Sequence, residues 1–70
     1  MSYGYDLKGT FEEVESYAMF AEHTLKNNRM QHEFKIIIEK TGNGKFDEYG
    51  VRLEEKGSDE LLDSIIQIYD

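Results

Sequence analysis

The chain has 70 residues, of which 15 are acidic and 8 are basic, and its net charge is −7 at pH 7. This length predicts a single domain, residues 1–70, with a small core, because a domain of this size buries only roughly 60% of the surface that its unfolded form exposes. The absence of cysteine excludes disulfides and thiolate metal sites and is typical of a reducing compartment. No apolar run approaches the ~20 residues that span a bilayer, and the first residues lack the pattern of a signal peptide. We therefore expect a soluble, cytoplasmic protein.

The excess of negative charge restricts the partners that the chain can have. Proteins bind nucleic acids by neutralising phosphates with lysine and arginine, so a chain of net charge −7 whose basic residues do not cluster would be repelled. The same charge disfavours anionic membrane surfaces. A basic protein is therefore the expected partner. The alternative is that the acidity only keeps a small protein soluble.

The N-terminal part of the chain predicts a strand followed by a helix. Apolar and polar residues alternate over residues 2–8, which is the period of a strand. Thr10 and Glu13 then have the spacing of a capping box. The helix is expected to run from Phe11 to residue 27 or 28, with Asn28 as a left-handed cap. Its predicted inward face consists of Val14, Tyr17, Ala18, Ala21 and Leu25.

Two strands joined by a tight turn are predicted next. Residues 33–40 and 46–56 flank the pair Asn43-Gly44, which favours a type I′ turn because both central residues of that turn need a positive φ. With this turn every inward-facing pair is apolar, and a slip of one residue would turn the apolar side chains outward. The inward pairs are Ile38 with Tyr49, Ile36 with Val51 and Phe34 with Leu53.

On the outer side of this predicted hairpin, like charges face each other. The register sets Lys35 opposite Arg52 and Glu39 opposite Glu48, and directly opposed like charges destabilise a sheet. Ile37 lies on the same side. This surface is either a contact site for a partner or an ordinary exposed surface that carries a few apolar and charged residues without a function.

The last segment predicts a second helix, over residues 58–70. Ser58 is a favourable N-cap, and acids in the first turn suit the helix dipole. One half of this helix would be apolar, formed by Leu61, Leu62, Ile65, Ile66, Ile68 and Tyr69. The predicted fold is therefore an α+β two-layer sandwich of order β-α-β-β-α, in which two helices cover one face of an antiparallel sheet. The residues do not place the first strand within that sheet.

Carboxylates cluster on the predicted helices and at the end of the last predicted strand. The helix dipole explains acids in a first turn, but it disfavours Asp63 and Asp70, which lie in the middle and at the C-terminal end of the second predicted helix. We therefore predict an acidic surface that meets lysines and arginines of a partner, with a solvated face as the alternative. The candidate partner-binding residues are Glu54, Glu55, Asp59, Glu60 and Asp63, followed by Glu12, Glu15 and Glu22.

The sequence contains no pattern that indicates catalysis, a metal or a cofactor. His23 and His32 lack the spacing of a helical metal pair and have no supporting thiolate. The serines have no readable base partner, and so thin a domain leaves little room for a pocket on the order of 300 Å³. The segment TGNGK, residues 41–45, lacks the spacing of a phosphate loop and is predicted to be a turn. We expect neither an enzyme nor a bound cofactor or metal.

In size, acidity and α+β character the chain resembles the small acidic inhibitor proteins that bacteriophages make against host defences, such as anti-CRISPR proteins and DNA mimics. No motif is shared, so no residue is carried over. The resemblance implies that the chain occludes a nucleic-acid-binding site on a basic protein in the host cytoplasm, by electrostatic complementarity. The alternative is a homodimeric structural or regulatory module without a nucleic-acid-related partner, formed at the open edge of the N-terminal strand. A double-stranded-RNA-binding domain is disfavoured, because its last helix begins with basic residues where this chain has Ser58, Asp59 and Glu60.

Overall fold

Residues 4–42 and 47–69, which are those that the computed structural model describes, form an α+β fold. The elements are β1 (Leu7–Gly9), α1 (Phe11–Asn27), β2 (Phe34–Lys40), β3 (Tyr49–Glu55) and β4 (Ile66–Tyr69). The strand order in the sheet is β1-β3-β2-β4; β3 is antiparallel to β1 and β2, whereas β4 is parallel to β2. The predicted α+β class is confirmed, and the first strand lies beside β3. Within the described ranges no helix is long and apolar enough to cross a membrane.

The first helix begins and ends close to where the sequence predicts. Thr10 is the N-cap of α1, and its Oγ1 accepts a hydrogen bond from the Glu13 N–H at 3.2 Å. The Glu13 Oε1 accepts one from the Thr10 N–H at 2.9 Å, which completes the capping box. Two backbone donors that no helical carbonyl can reach are thereby satisfied.

The C-terminal end of α1 differs from the prediction, because Arg29 rather than Asn28 is left-handed. Arg29 has a φ of 57°, whereas Asn28 has a φ of −99°. The Met30 N–H donates to the Leu25 carbonyl at 2.8 Å, and the Arg29 N–H donates to the Lys26 carbonyl at 3.2 Å. These two hydrogen bonds define a Schellman motif. The motif returns the chain toward the sheet, where Met30 packs against the core.

The core lies between α1 and the central strands β2 and β3. The predicted inward stripe of α1 is buried except for Tyr17, which is half-buried. Phe11 and Tyr49 meet edge-on at the end of the core where α1 begins, with ring centroids 5.2 Å apart. The buried core consists of Val14, Ala18, Ala21, Leu25, Ile36, Ile38 and Val51.

The pairing of β2 with β3 differs from the predicted register by two residues. The observed pairs are Phe34–Glu55, Lys35–Glu54, Ile36–Leu53, Ile37–Arg52, Ile38–Val51, Glu39–Gly50 and Lys40–Tyr49. Because side chains alternate with a period of two, this shift leaves every side chain on its predicted face. The predicted turn residues Asn43 and Gly44 lie outside the described residues.

Charges across the sheet explain why the observed register is favoured. In the predicted register Lys35 would face Arg52, and directly opposed like charges destabilise a sheet. In the observed register Lys35 faces Glu54, and Glu39 faces Gly50, so no like charges are directly opposed at these positions. Lys35 and Glu54 are therefore paired across the strands. Two inward apolar pairs, Ile36–Leu53 and Ile38–Val51, replace the three that the sequence predicts.

The predicted second helix and the strictly antiparallel sheet are wrong. Residues 56–65 contain no helix, and the following Ile66–Tyr69 is a strand. This strand gives β2 a second neighbour, and the Ile36 N–H donates to the Ile65 carbonyl at 2.7 Å. Ile37 lies on the opposite face from the core and is only 3% exposed, so β2 is apolar on both faces, as strands with parallel neighbours commonly are. A short apolar run fits a helix or a buried strand equally well, and here the open side of β2 decides for the strand.

Candidate functional site

The carboxylates predicted to bind a partner lie in three places rather than on one surface. The first place is α1, which carries Glu12, Glu15 and Glu22. The second is the outer face, by which we mean the face of the sheet that α1 does not cover, where Glu54 and Glu60 contact Lys35. The third is the far end, where β3 ends and the loop of residues 56–65 begins, with Glu55, Asp59 and Asp63.

A chain of ion pairs crosses the outer face. Lys35 Nζ lies 2.6 Å from Glu60 Oε2 and 3.7 Å from Glu54 Oε1. Arg52 continues the chain, since its Nη2 lies 3.1 Å from Glu54 Oε2 and its Nη1 pairs with Glu39. Glu54 and Glu60 are therefore neutralised by cations of their own chain, which makes them poor candidates for contacting a basic partner.

The pair of Lys35 and Glu60 ties the loop of residues 56–65 to the sheet. Their hydrogen bond raises the pKa of Lys35 above its ordinary value and lowers the pKa of Glu60 below its ordinary value. Glu60 also accepts a hydrogen bond from the Gly57 N–H at 3.2 Å, which lowers its pKa further. The Glu60 carbonyl accepts one from Lys56 Nζ at 2.8 Å. Both the side chain and the backbone of Glu60 thus have a structural role.

A tyrosine covers part of the same outer face. The Tyr5 ring lies over Gly50, where a Cβ would be only 2.5 Å from the ring. Lys8 Nζ and Arg52 Cζ lie 5.7 Å and 5.8 Å from the ring centroid, which is within the range of cation–π contacts. Glycine at position 50 therefore allows an aromatic ring to lie flat on the sheet.

The far end of the sheet mixes both signs of charge. Asp63 lines a cleft of about 230 Å³ between the end of α1 and the loop, together with His32 and Lys56. Glu55 lines a neighbouring depression with the same His32 and Lys56, and Asp59 is exposed nearby. Among the described residues no group of three histidine, aspartate or glutamate side chains is arranged to hold a metal ion. This end presents no surface of a single sign.

The exposed side of α1 combines free carboxylates with apolar side chains. Glu12 and Glu15 are exposed and have no ion-pair partner in the part of the chain that the structure describes. Met19 and Phe20 follow on the same helix and are 60% and 68% exposed. Glu22 lies beyond them and is paired with the lysine one turn further on, at 3.5 Å. We call Glu12, Glu15, Met19 and Phe20 the acidic helix face.

An apolar cleft of about 190 Å³ adjoins the acidic helix face. Tyr17, Phe20 and Leu25 line it from α1, and Leu53 lines it from β3. Asp6 supplies the one charged side chain that lines it among the described residues, and Tyr17 Oη donates to Asp6 Oδ2 at 3.3 Å. Burial, reinforced by the Asp6 charge, raises the pKa of Tyr17. The cleft therefore has an apolar floor and a negative rim.

The sequence predicts the acidic part of this surface and misses the cleft. Glu12 and Glu15 are placed correctly on the exposed side of α1 by its helical period. Met19 and Phe20 lie outside the narrow apolar arc of the helix, which is the signal that they are exposed. Leu53 is predicted to face the core, and it does lie on the core side, yet it is 36% exposed. β1 pairs with only the first part of β3, from Tyr49 to Val51, and no local pattern indicates this.

Comparisons of the chain with protein-family models, with curated proteins and with solved structures found no match. Support for a function therefore comes from the charges, exposed side chains and clefts of the chain itself.

Proposed function

We propose that this protein is an inhibitor that binds a basic host defence protein and occludes its nucleic-acid-binding site. The observation that carries the proposal is the acidic helix face, where two carboxylates without a described cation, Glu12 and Glu15, share the exposed side of α1 with the large apolar side chains of Met19 and Phe20. Sites that bind nucleic acid are rich in lysine and arginine because they neutralise phosphates. A carboxylate that its own chain has not neutralised is the group that such a site would bind in place of a phosphate.

The charged and apolar groups of this face have separate roles in the proposal. The carboxylates speed the encounter and select a basic partner. Met19 and Phe20 supply desolvated contact area, since methionine and aromatic residues are enriched at the centres of protein interfaces. The cleft beside Phe20 accepts an apolar side chain of the partner, and Asp6 at its rim faces a neighbouring lysine or arginine of the partner.

The other predicted carboxylates contribute less to binding of the partner. Glu54 and Glu60 hold the outer face and the loop together and make no contact with the partner. Asp59 and Asp63 lie at the far end of the sheet, where Asp63 lines a cleft together with Lys56, and in this proposal they contribute only to the overall negative field. These assignments give the experiment a matched control within the same chain.

The test compares two double variants that each remove two negative charges. Glu12→Gln with Glu15→Gln changes the acidic helix face, and Asp59→Asn with Asp63→Asn changes the far end. The partner is captured from a lysate of the source cells at low salt and then purified. Displacement of labelled duplex DNA or RNA from the partner is measured for each form of the inhibitor. We expect the helix-face variant to bind roughly 2- to 30-fold more weakly, because exposed charge contacts contribute about 0.2–1 kcal/mol each.

The far-end variant is expected to bind within about twofold of the parent, because its carboxylates make no direct contact in this proposal. Binding of the parent should weaken as salt rises, because charges in contact with solvent are screened within ~8–10 Å. Equal losses for the two double variants would contradict the placement of the site on α1. A captured partner that keeps its nucleic acid at saturating inhibitor would contradict occlusion.

A further inference from the structure

β4 forms a short edge of the sheet that neither a charged residue nor a proline protects against pairing. The strand order places β4 outside β2, and no other described strand pairs with it. Ile66–Tyr69 contains neither a charged residue nor a proline, and these are the residues that blunt the edges of natural sheets. β1, at the opposite edge, has three residues and includes Lys8. The unguarded edge is therefore β4.

The hydrogen bonds to β2 identify the backbone groups that face away from the sheet. The Ile36 N–H donates to the Ile65 carbonyl, so the backbone groups of Ile65 and Gln67 face β2. Those of Ile66 and Ile68 alternate with them and face outward. The Ile66 N–H accordingly donates to its own neighbour, Ser64 Oγ, at 3.2 Å. The carbonyl of a pairing strand could replace the Ser64 hydroxyl as the acceptor for this N–H, and no described strand supplies such a carbonyl.

We propose that β4 pairs antiparallel with β4 of a second copy of this chain, with Gln67 opposite Gln67 of the second copy. The outward backbone groups determine this register. Ile66 of one copy exchanges N–H and carbonyl bonds with Ile68 of the other, and the two-fold symmetry repeats the exchange. The two sheets then join edge to edge into one continuous sheet.

The side chains of β4 also fit this arrangement. Ile68 is the register partner of Ile38, so both lie on the side of the sheet that α1 covers. Helix α1 packs on β1, β2 and β3, and Ile68 remains 52% exposed. In the antiparallel pair Ile66 and Ile68 of each copy lie beside their counterparts and extend the apolar layer across the junction.

The charge of the chain predicts how this association responds to salt. Each copy carries a net charge of −7, so two copies repel each other, although the paired strands themselves are uncharged. Salt screens this repulsion, so dimerisation should strengthen as salt rises. Binding to a basic partner should weaken under the same change. The proposed dimer is independent of the proposed inhibitor function, and either can fail without the other.

Engineered cysteines test both the pairing and its register, because the chain has no cysteine of its own. In the proposed register the two copies of position 67 form a directly opposed pair with Cα atoms ~4.5 Å apart, which a disulfide can bridge. Tyr69→Cys is the matched control on the same strand and face. Its two copies would lie ~14 Å apart, beyond the reach of a disulfide. We expect Gln67→Cys to form a covalent dimer on oxidation with copper–phenanthroline and Tyr69→Cys to form no covalent dimer.

Sedimentation of the unmodified chain should show a mass that doubles as concentration rises, at lower concentration in high salt. Ile68→Lys should remain monomeric while keeping the circular dichroism of the parent. Equal cross-linking of the two cysteine variants would overturn the antiparallel register. A monomer at every concentration and salt would overturn the dimer. In that case hydrogen exchange of the Ile68 N–H identifies the reason: protection means that another part of the same chain covers the edge, and free exchange means that the edge is open to a strand of another protein.

Discussion

Replacing Arg29 by glycine is expected to stabilise the protein. Arg29 has a φ of 57°, and the left-handed region costs a residue with a Cβ about 1–2 kcal/mol. Glycine adopts this conformation freely, but its greater freedom in the unfolded chain offsets about 0.5–1 kcal/mol of that gain. The free energy of unfolding should therefore rise by about 0.5–1 kcal/mol. For a domain of this size the corresponding increase in Tm is roughly 2–8 °C.

Arg29→Ala is the matched control, because it removes the same charge and side chain but keeps the Cβ. We expect its free energy of unfolding to stay within about 0.5 kcal/mol of the parent. Both variants are measured by urea denaturation followed by circular dichroism, and an unchanged slope with denaturant shows that the same surface is exposed on unfolding. Equal stabilities of the glycine and alanine variants would refute the argument that left-handed strain at Arg29 limits the stability of the helix end.

Three further changes have defined outcomes. Thr10→Ala removes the capping oxygen of α1 and should lower the free energy of unfolding by about 1 kcal/mol in urea denaturation, whereas Thr10→Ser should retain most of it. Gly50→Ala places a Cβ against the Tyr5 ring, so the ring should leave the sheet; proton chemical shifts of Tyr5 that match those of the parent would contradict this. The contribution of Glu60 to the free energy of unfolding should be complete above its ordinary pKa of 4.5 and should be lost as the pH falls through its lowered folded pKa. The contribution of Lys35 should be complete below its ordinary pKa of 10.5 and should be lost as the pH rises through its raised folded pKa. Urea denaturation at a series of pH values measures both effects. Glu60→Gln should weaken the loss of stability at acid pH, and a loss as steep as that of the parent would exclude Glu60 as its source.

The parts of the fold that depend on neighbouring residues could be predicted from the sequence. The start of α1 is determined by Thr10 and Glu13, which lie within one turn of each other, and its buried stripe follows from the helical period alone. The faces of β2 and β3 follow from a period of two in the same way. The helical period alone therefore predicts that Glu12 and Glu15 lie on the exposed side of α1.

The parts that depend on distant residues could not be predicted. β4 pairs with β2, and the register partners Ile36 and Ile66 are far apart in sequence. The apolar run around Ile37 in β2 was the available signal, because an apolar residue on both faces indicates an interior strand. Lys35 and Glu60 are separated by 25 residues, so nothing near Glu60 indicated that its charge is neutralised. An acidic residue in a sequence is therefore a candidate for partner binding only once its own chain has been shown not to pair it.

The anchored loop of residues 56–65 offers a position for chemical labelling. The ion pair between Glu60 and Lys35 fixes the middle of the loop to the sheet. The hydrogen bond from the Ile36 N–H to the Ile65 carbonyl fixes its end to β2. Leu61 lies between these anchors with 93% of its surface exposed, so it contributes almost nothing to the core. A cysteine at position 61, in a chain with no other thiol, would carry a dye or an affinity tag on a fixed support. Such a label would follow both partner capture and self-association while leaving the side chains of α1 and β4 unmodified.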